Sequence, residues 1–193
     1  MTASLPQRRS VMRGILQLAL LRAGGMEQFG DSRQCFLNSL APLVAFPLVG
    51  GVLGMVSGAG VDALAGLLGT LVALLTPPVL SHLLARLWRR EAEWLRYATA
   101  FNWSRWAMLL ALSTSLLLIG LFGTMGLTQR GAVGLGLLAV AIYGFVLDAF
   151  VARVGLRLSW GRAVLLVLAV NLGAALLFLG PRVIAGLQAL PPA

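Results

Sequence analysis

The feature that most constrains this sequence is a series of long apolar segments separated by short connections that carry arginine. Five such segments cover about 38–57, 62–85, 103–127, 132–151 and 163–179. At 1.5 Å per residue, about 20 apolar residues in a helix cross the roughly 30 Å hydrocarbon core of a bilayer. Since a backbone in lipid must satisfy its own hydrogen bonds, the pattern predicts an all-α membrane protein, a bundle of five transmembrane helices.

The composition agrees with this fold class. The chain has 193 residues, of which 59% are hydrophobic and 11% are charged, whereas a soluble domain has about 45–50% apolar and about 25% charged residues. Five spans leave no room for a soluble catalytic domain. The single cysteine, Cys35, excludes an internal disulfide and a thiolate metal cluster.

The arginines predict the orientation. All 15 basic residues are arginine, and 13 fall on one side of the five predicted spans, with Arg130 and Arg182 on the other. The 13 are Arg8, Arg9, Arg13, Arg22 and Arg33 before the first span, Arg86, Arg89, Arg90, Arg96 and Arg105 between the second and third, and Arg153, Arg157 and Arg162 between the fourth and fifth. Because cytoplasmic loops carry the excess of arginine, the N-terminus is expected in the cytoplasm and the C-terminus in the periplasm of a bacterial inner membrane.

The N-terminal segment 1–37 is predicted to be cytoplasmic and to contain an interfacial amphipathic helix from about Ser10 to Arg22. Ser10 is suited to cap its N-terminus. An apolar stripe is expected on one face, formed by Val11, Ile15, Leu18 and Leu21, so the helix is expected to lie on the membrane rather than across it. Gly24 and Gly25 are expected to stop it.

Two ionisable residues fall near the inner ends of predicted spans. His82 and Asp148 lie at similar depths, and they are candidates for a polar pair that holds a proton or a ligand, because charges in a membrane are costly. The alternative is that Asp148 pairs with Arg153 or Arg86 while His82 faces the headgroups.

Two other patterns concern helix geometry. Pro77 and Pro78 interrupt the hydrogen-bond ladder of the second span, which predicts a kink or a short unwound stretch. Gly50, Gly54 and Gly58 form two overlapping GxxxG steps, which allow close approach of another helix from this chain or from a second copy.

The predicted loop between the second and third spans is a candidate lipid or partner surface. It carries Arg86, Arg89, Arg90, Arg96 and Arg105, and basic residues at the bilayer surface attract anionic lipid. At its end, Asn102 is expected to cap the third helix, with Trp103 and Trp106 anchoring that helix at the interface.

Catalytic and nucleic-acid signatures are absent from the sequence. One histidine cannot supply an HExxH site, and neither a GxSxG elbow nor a Gly-rich GKS or GKT loop occurs. The arginines lack the interleaved aromatic platforms of a nucleic-acid surface and fit membrane topology instead. The chain is therefore expected to be no enzyme, to need no cofactor or metal, and to bind no nucleic acid.

The predicted layout, a cytoplasmic N-terminal segment followed by five closely spaced spans, is similar to that of the Yip domain family of small membrane proteins. The segments 29–40 (FGDSRQCFLNSL) and 97–106 (YATAFNWSRW) also resemble those of small bacterial membrane proteins of this kind. Eukaryotic Yip members bind Rab-type GTPases, but their DLYGP and GY motifs do not occur here. The resemblance therefore implies the layout and not GTPase binding.

The function expected from the sequence is non-catalytic. The chain is predicted to be an interaction, scaffold or accessory protein that works through its basic cytoplasmic face. Its expected partners are the bilayer, anionic lipid headgroups, and either another membrane protein or a second copy. The alternative is a small transporter or channel-like protein with a site near Pro77, Pro78, His82 and Asp148.

Overall fold

The structure, a computed structural model, describes residues 10–124, 126 and 128–188, with side chains described as far as 180. It consists of six α-helices: α1 (Val11–Ala19), α2 (Arg33–Gly54), α3 (Gly60–Leu87), α4 (Glu91–Thr124), α5 (Gln129–Gly155) and α6 (Trp160–Gln188). A 3₁₀ segment covers Ala23–Gln28, and a π-helical turn covers Met55–Ala59. The described residues include no strand, so the all-α prediction is confirmed.

Four helical stretches are long and apolar enough to cross a membrane. They are Arg33–Leu87, Glu91–Thr124, Gln129–Gly155 and Trp160–Gly180. The first stretch combines α2, the π-helical turn and α3. It folds back on itself at Gly58 and Gly60, whose φ angles of 93° and 41° are in the region that favours glycine.

The α2–α3 hairpin has a tight antiparallel register. A β-carbon built on Gly51 would lie 2.8 Å from the Leu67 side chain, and one on Gly54 would lie 3.0 Å from Ala63. Glycine at these two positions therefore lets the helices approach closely. By contrast, a β-carbon built on Gly50 or Gly58 would have no neighbouring atom within 4 Å. In the part of the chain described, only Gly54 of the predicted GxxxG steps therefore makes a close interhelical contact.

The five long helices form a ring in the order α2, α4, α5, α6 and α3, since each packs against the next and α3 packs on α2. Most of the buried core is at one end of this ring, where α3 leads into α4 and α5 into α6. We call this the arginine-rich end (residues 10–40, 75–107 and 144–170). Its fully buried side chains include Leu18, Phe29, Tyr97, Leu147 and Leu166.

Helix α1 packs into the arginine-rich end. Ser10 caps it as predicted, its Oγ accepting the Arg13 N–H at 3.4 Å. Ile15 and Leu18 of the predicted apolar stripe are buried in the core, but Val11 and Leu21 are exposed. The Tyr143 hydroxyl of α5 donates to the Ala19 carbonyl at 2.9 Å, so α1 is fixed to the bundle by a hydrogen bond as well as by apolar burial.

The end of α1 differs from the sequence prediction. The helix ends at Ala19, and the chain turns at Leu21, whose φ is 53°. Gly24 and Gly25 lie beyond this turn in the 3₁₀ segment. Gly25 is needed for packing, because a β-carbon there would lie 3.0 Å from the Gly14 carbonyl.

Asn102 does not cap the third long helix. Helix α4 starts at Glu91 rather than Trp103, and Asn102 lies in its interior rather than at its cap. The buried Asn102 Nδ2 donates to Ser39 Oγ of α2 at 3.0 Å. The first four turns of α4 are helical because their apolar face, with Tyr97, Ala100 and Phe101, is buried in the arginine-rich end.

Helix α3 continues through Pro77 and Pro78 without an unwound stretch. The two prolines remove the backbone donors to the carbonyls of Ala73 and Leu74, and two hydroxyl groups bond other carbonyls of the same segment. Thr76 Oγ1 donates to the Val72 carbonyl at 2.6 Å, and Ser81 Oγ donates to the Pro78 carbonyl at 3.1 Å. Packing along α2 and α6 supports the same segment, so the predicted unwinding is not observed.

The α4–α5 packing can be tested with two glycines of one helix. At Gly136 a β-carbon would lie 2.7 Å from Ser115 Oγ and 2.8 Å from Ile119, whereas at Gly134 nothing lies within 4 Å. We expect Gly136→Ala to lower the free energy of unfolding by about 1–3 kcal/mol through overpacking, measured by denaturant unfolding of the purified protein in mild detergent. Gly134→Ala has the same helix-propensity gain and should not destabilise. Equal stability of the two variants would contradict this packing.

Candidate functional site

An ion pair between a half-buried arginine and a buried aspartate joins α4 to α5. Arg105 Nη2 donates to Asp148 Oδ2 at 3.4 Å, and Asp148 is only 8% exposed. Both residues lie inside helices long and apolar enough to cross a membrane. An ionised group at such a position is expensive unless it is paired, which makes it a candidate for function.

Helix geometry holds the guanidinium in place. Phe101 precedes Arg105 by one turn on the same face of α4, and the Arg105 Cζ lies 4.2 Å from the centroid of its ring. The arginine is therefore held by a cation–π contact on one side and a carboxylate on the other.

The ion pair borders a small cavity between four helices. The cavity has a volume of about 30 Å³, enough for a water molecule. Its lining comes from Pro77 of α3, Tyr97, Phe101 and Arg105 of α4, Asp148 of α5, and Leu166, Val167, Val170, Asn171 and Ala174 of α6. We call this space the ion-pair cavity. It combines a cation, an anion and polar side chains in an otherwise apolar bundle.

A second polar contact joins α3 to α4 through Ser81. Ser81 Oγ accepts from Trp94 Nε1 of α4 at 3.1 Å. Because Ser81 also donates to the Pro78 carbonyl, one buried hydroxyl connects the proline segment of α3 to an aromatic residue of α4.

The structure does not join His82 to Asp148. His82 Nε2 lies 3.8 Å from Glu91 Oε1, and its ring packs edge-on against Trp94 with 4.5 Å between centroids. Asp148 pairs with Arg105, not with the predicted alternatives Arg153 and Arg86. Arg153 instead lies over the Trp160 ring at 4.7 Å. Of the predicted pair, only Asp148 lines the ion-pair cavity, together with Pro77.

The predicted arginine loop is mostly helical, and its members have different environments. Arg86 is in the last turn of α3, and Arg89 and Arg90 lie in the short turn before α4. Arg90 pairs with Glu93 at 3.5 Å, and Arg96 of α4 pairs with Asp31 at 2.6 Å. Arg105 belongs to the ion pair, so it is not part of an exposed surface loop.

A polar crevice of about 480 Å³ opens at the arginine-rich end between the 3₁₀ segment, α4 and the end of α5. Three of the six acidic residues of the chain line it, together with two arginines: Glu27, Asp31, Glu93, Arg96 and Arg157. The surface at this end is therefore not uniformly basic, because carboxylates are gathered in one place among the arginines.

Sequence reasoning missed two interactions because both partners are distant along the chain. Arg105 and Asp148 are 43 residues apart, and Ser39 and Asn102 are 63 apart. The one available signal was that Arg105, Asp148 and Asn102 all adjoin or interrupt apolar runs, where a polar group needs a partner.

No family model, curated protein or solved structure matches this chain.

The ion pair predicts an asymmetric response to mutation. Arg105→Met leaves the buried Asp148 without its cation, so the free energy of unfolding should fall by about 1–3 kcal/mol. The double variant Arg105→Met, Asp148→Leu leaves no charge unpaired and should recover most of that loss. Denaturant unfolding in mild detergent measures both, with Arg130→Met at the opposite end as a control expected within about 0.5 kcal/mol of the parent. An Arg105→Met loss no larger than that of the control would contradict the pairing.

Proposed function

We propose that the chain crosses the membrane five times. Helix α2 has 22 residues and α3 has 28, about 33 Å and 42 Å at 1.5 Å per residue, so each is long enough for one crossing. Since they run antiparallel, the stretch Arg33–Leu87 counts as two spans. Helices α4, α5 and α6 supply the other three.

The arrangement of arginines supports an orientation with the arginine-rich end in the cytoplasm. The described residues place Arg13, Arg22, Arg33, Arg86 and Arg89, among others, at that end, and Arg130 at the other. By the positive-inside rule, the N-terminus is cytoplasmic and α1 lies at the inner interface of a bacterial plasma membrane. The predicted outer C-terminus (residues 189–193) and Arg8 and Arg9 lie outside the described residues.

Labelling of single cysteines tests this topology. In a Cys35→Ser background, Ser57→Cys and Gln129→Cys should react with a membrane-impermeant maleimide on intact spheroplasts. Arg89→Cys and Ser159→Cys should react only after permeabilisation, because they lie at the cytoplasmic end. All four positions are exposed. Protection of Ser57→Cys until permeabilisation, as for Arg89→Cys, would show that the α2–α3 hairpin does not cross.

The function that the geometry supports best is that of a non-catalytic accessory or scaffold protein. The observation that carries it is the location of the core: α1, the 3₁₀ segment and the first turns of α4 share one buried apolar cluster at the arginine-rich end. This creates a fixed cytoplasmic surface with defined charges, including the polar crevice. Rigid, pre-formed charged surfaces suit recognition of a partner, since complementary charges steer association. The resemblance to the Yip family stays a prediction.

Recovery of a partner tests this function. The tagged protein, extracted from native membranes in mild detergent, should retain one membrane protein in near-stoichiometric amount by quantitative mass spectrometry. Arg89→Glu with Arg157→Glu should lower that recovery at least severalfold, because both side chains are exposed at the arginine-rich end. Arg130→Glu is the matched control at the opposite end. Recovery of the chain without any stoichiometric partner would contradict the accessory role.

The ion-pair cavity favours a second candidate, a small transporter or channel-like protein. It places Arg105 and Asp148 beside Pro77 within the membrane-length helices, and polar groups at such a depth mark substrate pathways in transporters. If the tagged chain is recovered without a stoichiometric partner, the result would favour this second candidate over the accessory role. Proton or solute flux in liposomes that is lost in Asp148→Asn would then support transport.

A further inference from the structure

An apolar groove lies at the arginine-rich end between α2 and α3, separate from the ion-pair cavity. It has a volume of about 300 Å³ and no polar surface in its lining. Phe36 and Leu40 of α2 form one wall, and Leu75, Val79 and His82 of α3 form the other. Trp94 of α4 also lines it, tilted against Phe36 with 5.3 Å between ring centroids. We call it the α2–α3 groove.

The groove runs along the helices toward the cytoplasmic end. From Leu75 to His82 it extends over seven residues, about 10 Å at 1.5 Å per residue. Leu75, Val79 and His82 share one face of α3, and Arg86 follows on that same face one turn later. On α2, Leu40 and Phe36 share a face with Arg33. Each wall of the groove therefore ends in an arginine.

The hairpin register brings these two arginines to the same level. Gly51 meets Leu67 and Gly54 meets Ala63, and in the same register Phe36 lies opposite His82 within the groove lining. Continued by one turn, this register sets Arg33 opposite Leu84 and Ala85, and Arg86 is the next residue along α3. Arg33 and Arg86 therefore lie at nearly the same level, one on each side of the mouth of the groove.

The charges at the mouth are unbalanced. Both Arg33 and Arg86 are exposed, and neither has an ion pair among the described residues. Arg90 is paired with Glu93, and Asp31, two residues before Arg33, is paired with Arg96. That leaves Glu91, which lies 3.8 Å from His82. One carboxylate does not neutralise two free arginines, so the mouth has a net positive charge suited to a phosphate.

We propose that the α2–α3 groove binds one anionic phospholipid of the inner leaflet. An acyl chain lies along Leu40, Leu75 and Val79, and the lipid phosphate lies between Arg33 and Arg86. Trp94 and Phe36 are at the depth where aromatic residues contact the headgroup region. The site depends on the cytoplasmic orientation proposed above and is independent of the accessory role.

A lipid fits this groove better than a helix of a partner protein. A helix with side chains is about 10–12 Å across, so a 10 Å length of it occupies about 800 Å³ or more, which exceeds the 300 Å³ of the groove. An acyl chain is narrow and needs no hydrogen bonds from the walls, which here have no polar surface. A charged headgroup outside the apolar channel matches the two arginines at its end.

The test is native mass spectrometry of the full-length protein in mild detergent, titrated with phosphatidylglycerol or phosphatidylcholine of the same acyl chains. We expect one retained phosphatidylglycerol and much weaker binding of phosphatidylcholine. Arg33→Gln with Arg86→Gln should weaken the phosphatidylglycerol complex by about 30-fold, the effect of removing two interfacial cations. Val79→Trp, at an exposed groove position, should abolish retention of both lipids by filling the groove.

Matched variants make each outcome decisive. Leu117→Trp adds the same bulk at a position that is 77% exposed on α4, and Arg130→Gln removes an arginine at the opposite end; neither should change lipid retention. Circular dichroism and thermal unfolding confirm that each variant is folded. Equal binding of the two lipids, or full retention in Val79→Trp, would overturn the proposal. So would displacement by inorganic phosphate alone with no effect of Val79→Trp, since that describes a free phosphate site without a lipid groove.

Discussion

Burial of the first four turns of α4 is the interaction on which the rest of the bundle depends. Tyr97, Ala100, Phe101 and Ser104 are almost fully buried, and α4 packs against α1, α2, α3, α5 and the 3₁₀ segment. This one helix therefore supplies the surface on which the N-terminal segment docks. It also carries Asn102 to Ser39 and Arg105 to Asp148, so two polar contacts between helices depend on its helical continuation beyond the apolar span.

The membrane fold class could be predicted from sequence because it depends on local properties. Apolar runs of about 20 residues specify helices in lipid, and the clustering of arginine indicates which ends lie together. The start of α4 could not be predicted in this way. Asn102 and Arg105 read as the boundary of a span when only local polarity is considered. Their partners, Ser39 and Asp148, become neighbours only when the helices pack. The hydrogen bonds formed in that packing offset the cost of placing Asn102 and Arg105 inside a helix that is otherwise apolar.

The glycines and prolines also show that a local sequence pattern does not identify which neighbouring helix a residue will contact. A GxxxG pattern predicts close approach but does not identify the neighbour. The register of the α2–α3 hairpin puts Gly51 and Gly54 against Leu67 and Ala63, and it leaves Gly50 without a contact. Likewise, Pro77 and Pro78 remove backbone donors wherever they occur, but the outcome in α3 depends on the neighbouring helices that pack against this segment. Here those neighbours maintain the helix and put Pro77 beside the ion-pair cavity.

The arginines all carry the same charge, but the structure places them in three different environments. Arg105 is held inside the bundle by Asp148 and Phe101, and Arg90 and Arg96 are neutralised by acids close to the surface. Arg33 and Arg86 have no such partner among the described residues, and they end the two walls of an apolar groove. Because surface ion pairs contribute little to stability, the cost of leaving two arginines unpaired is small. The unpaired cations are therefore available at low cost to the phosphate of the proposed lipid, whereas the paired arginines contribute to the charge asymmetry on which the proposed orientation rests.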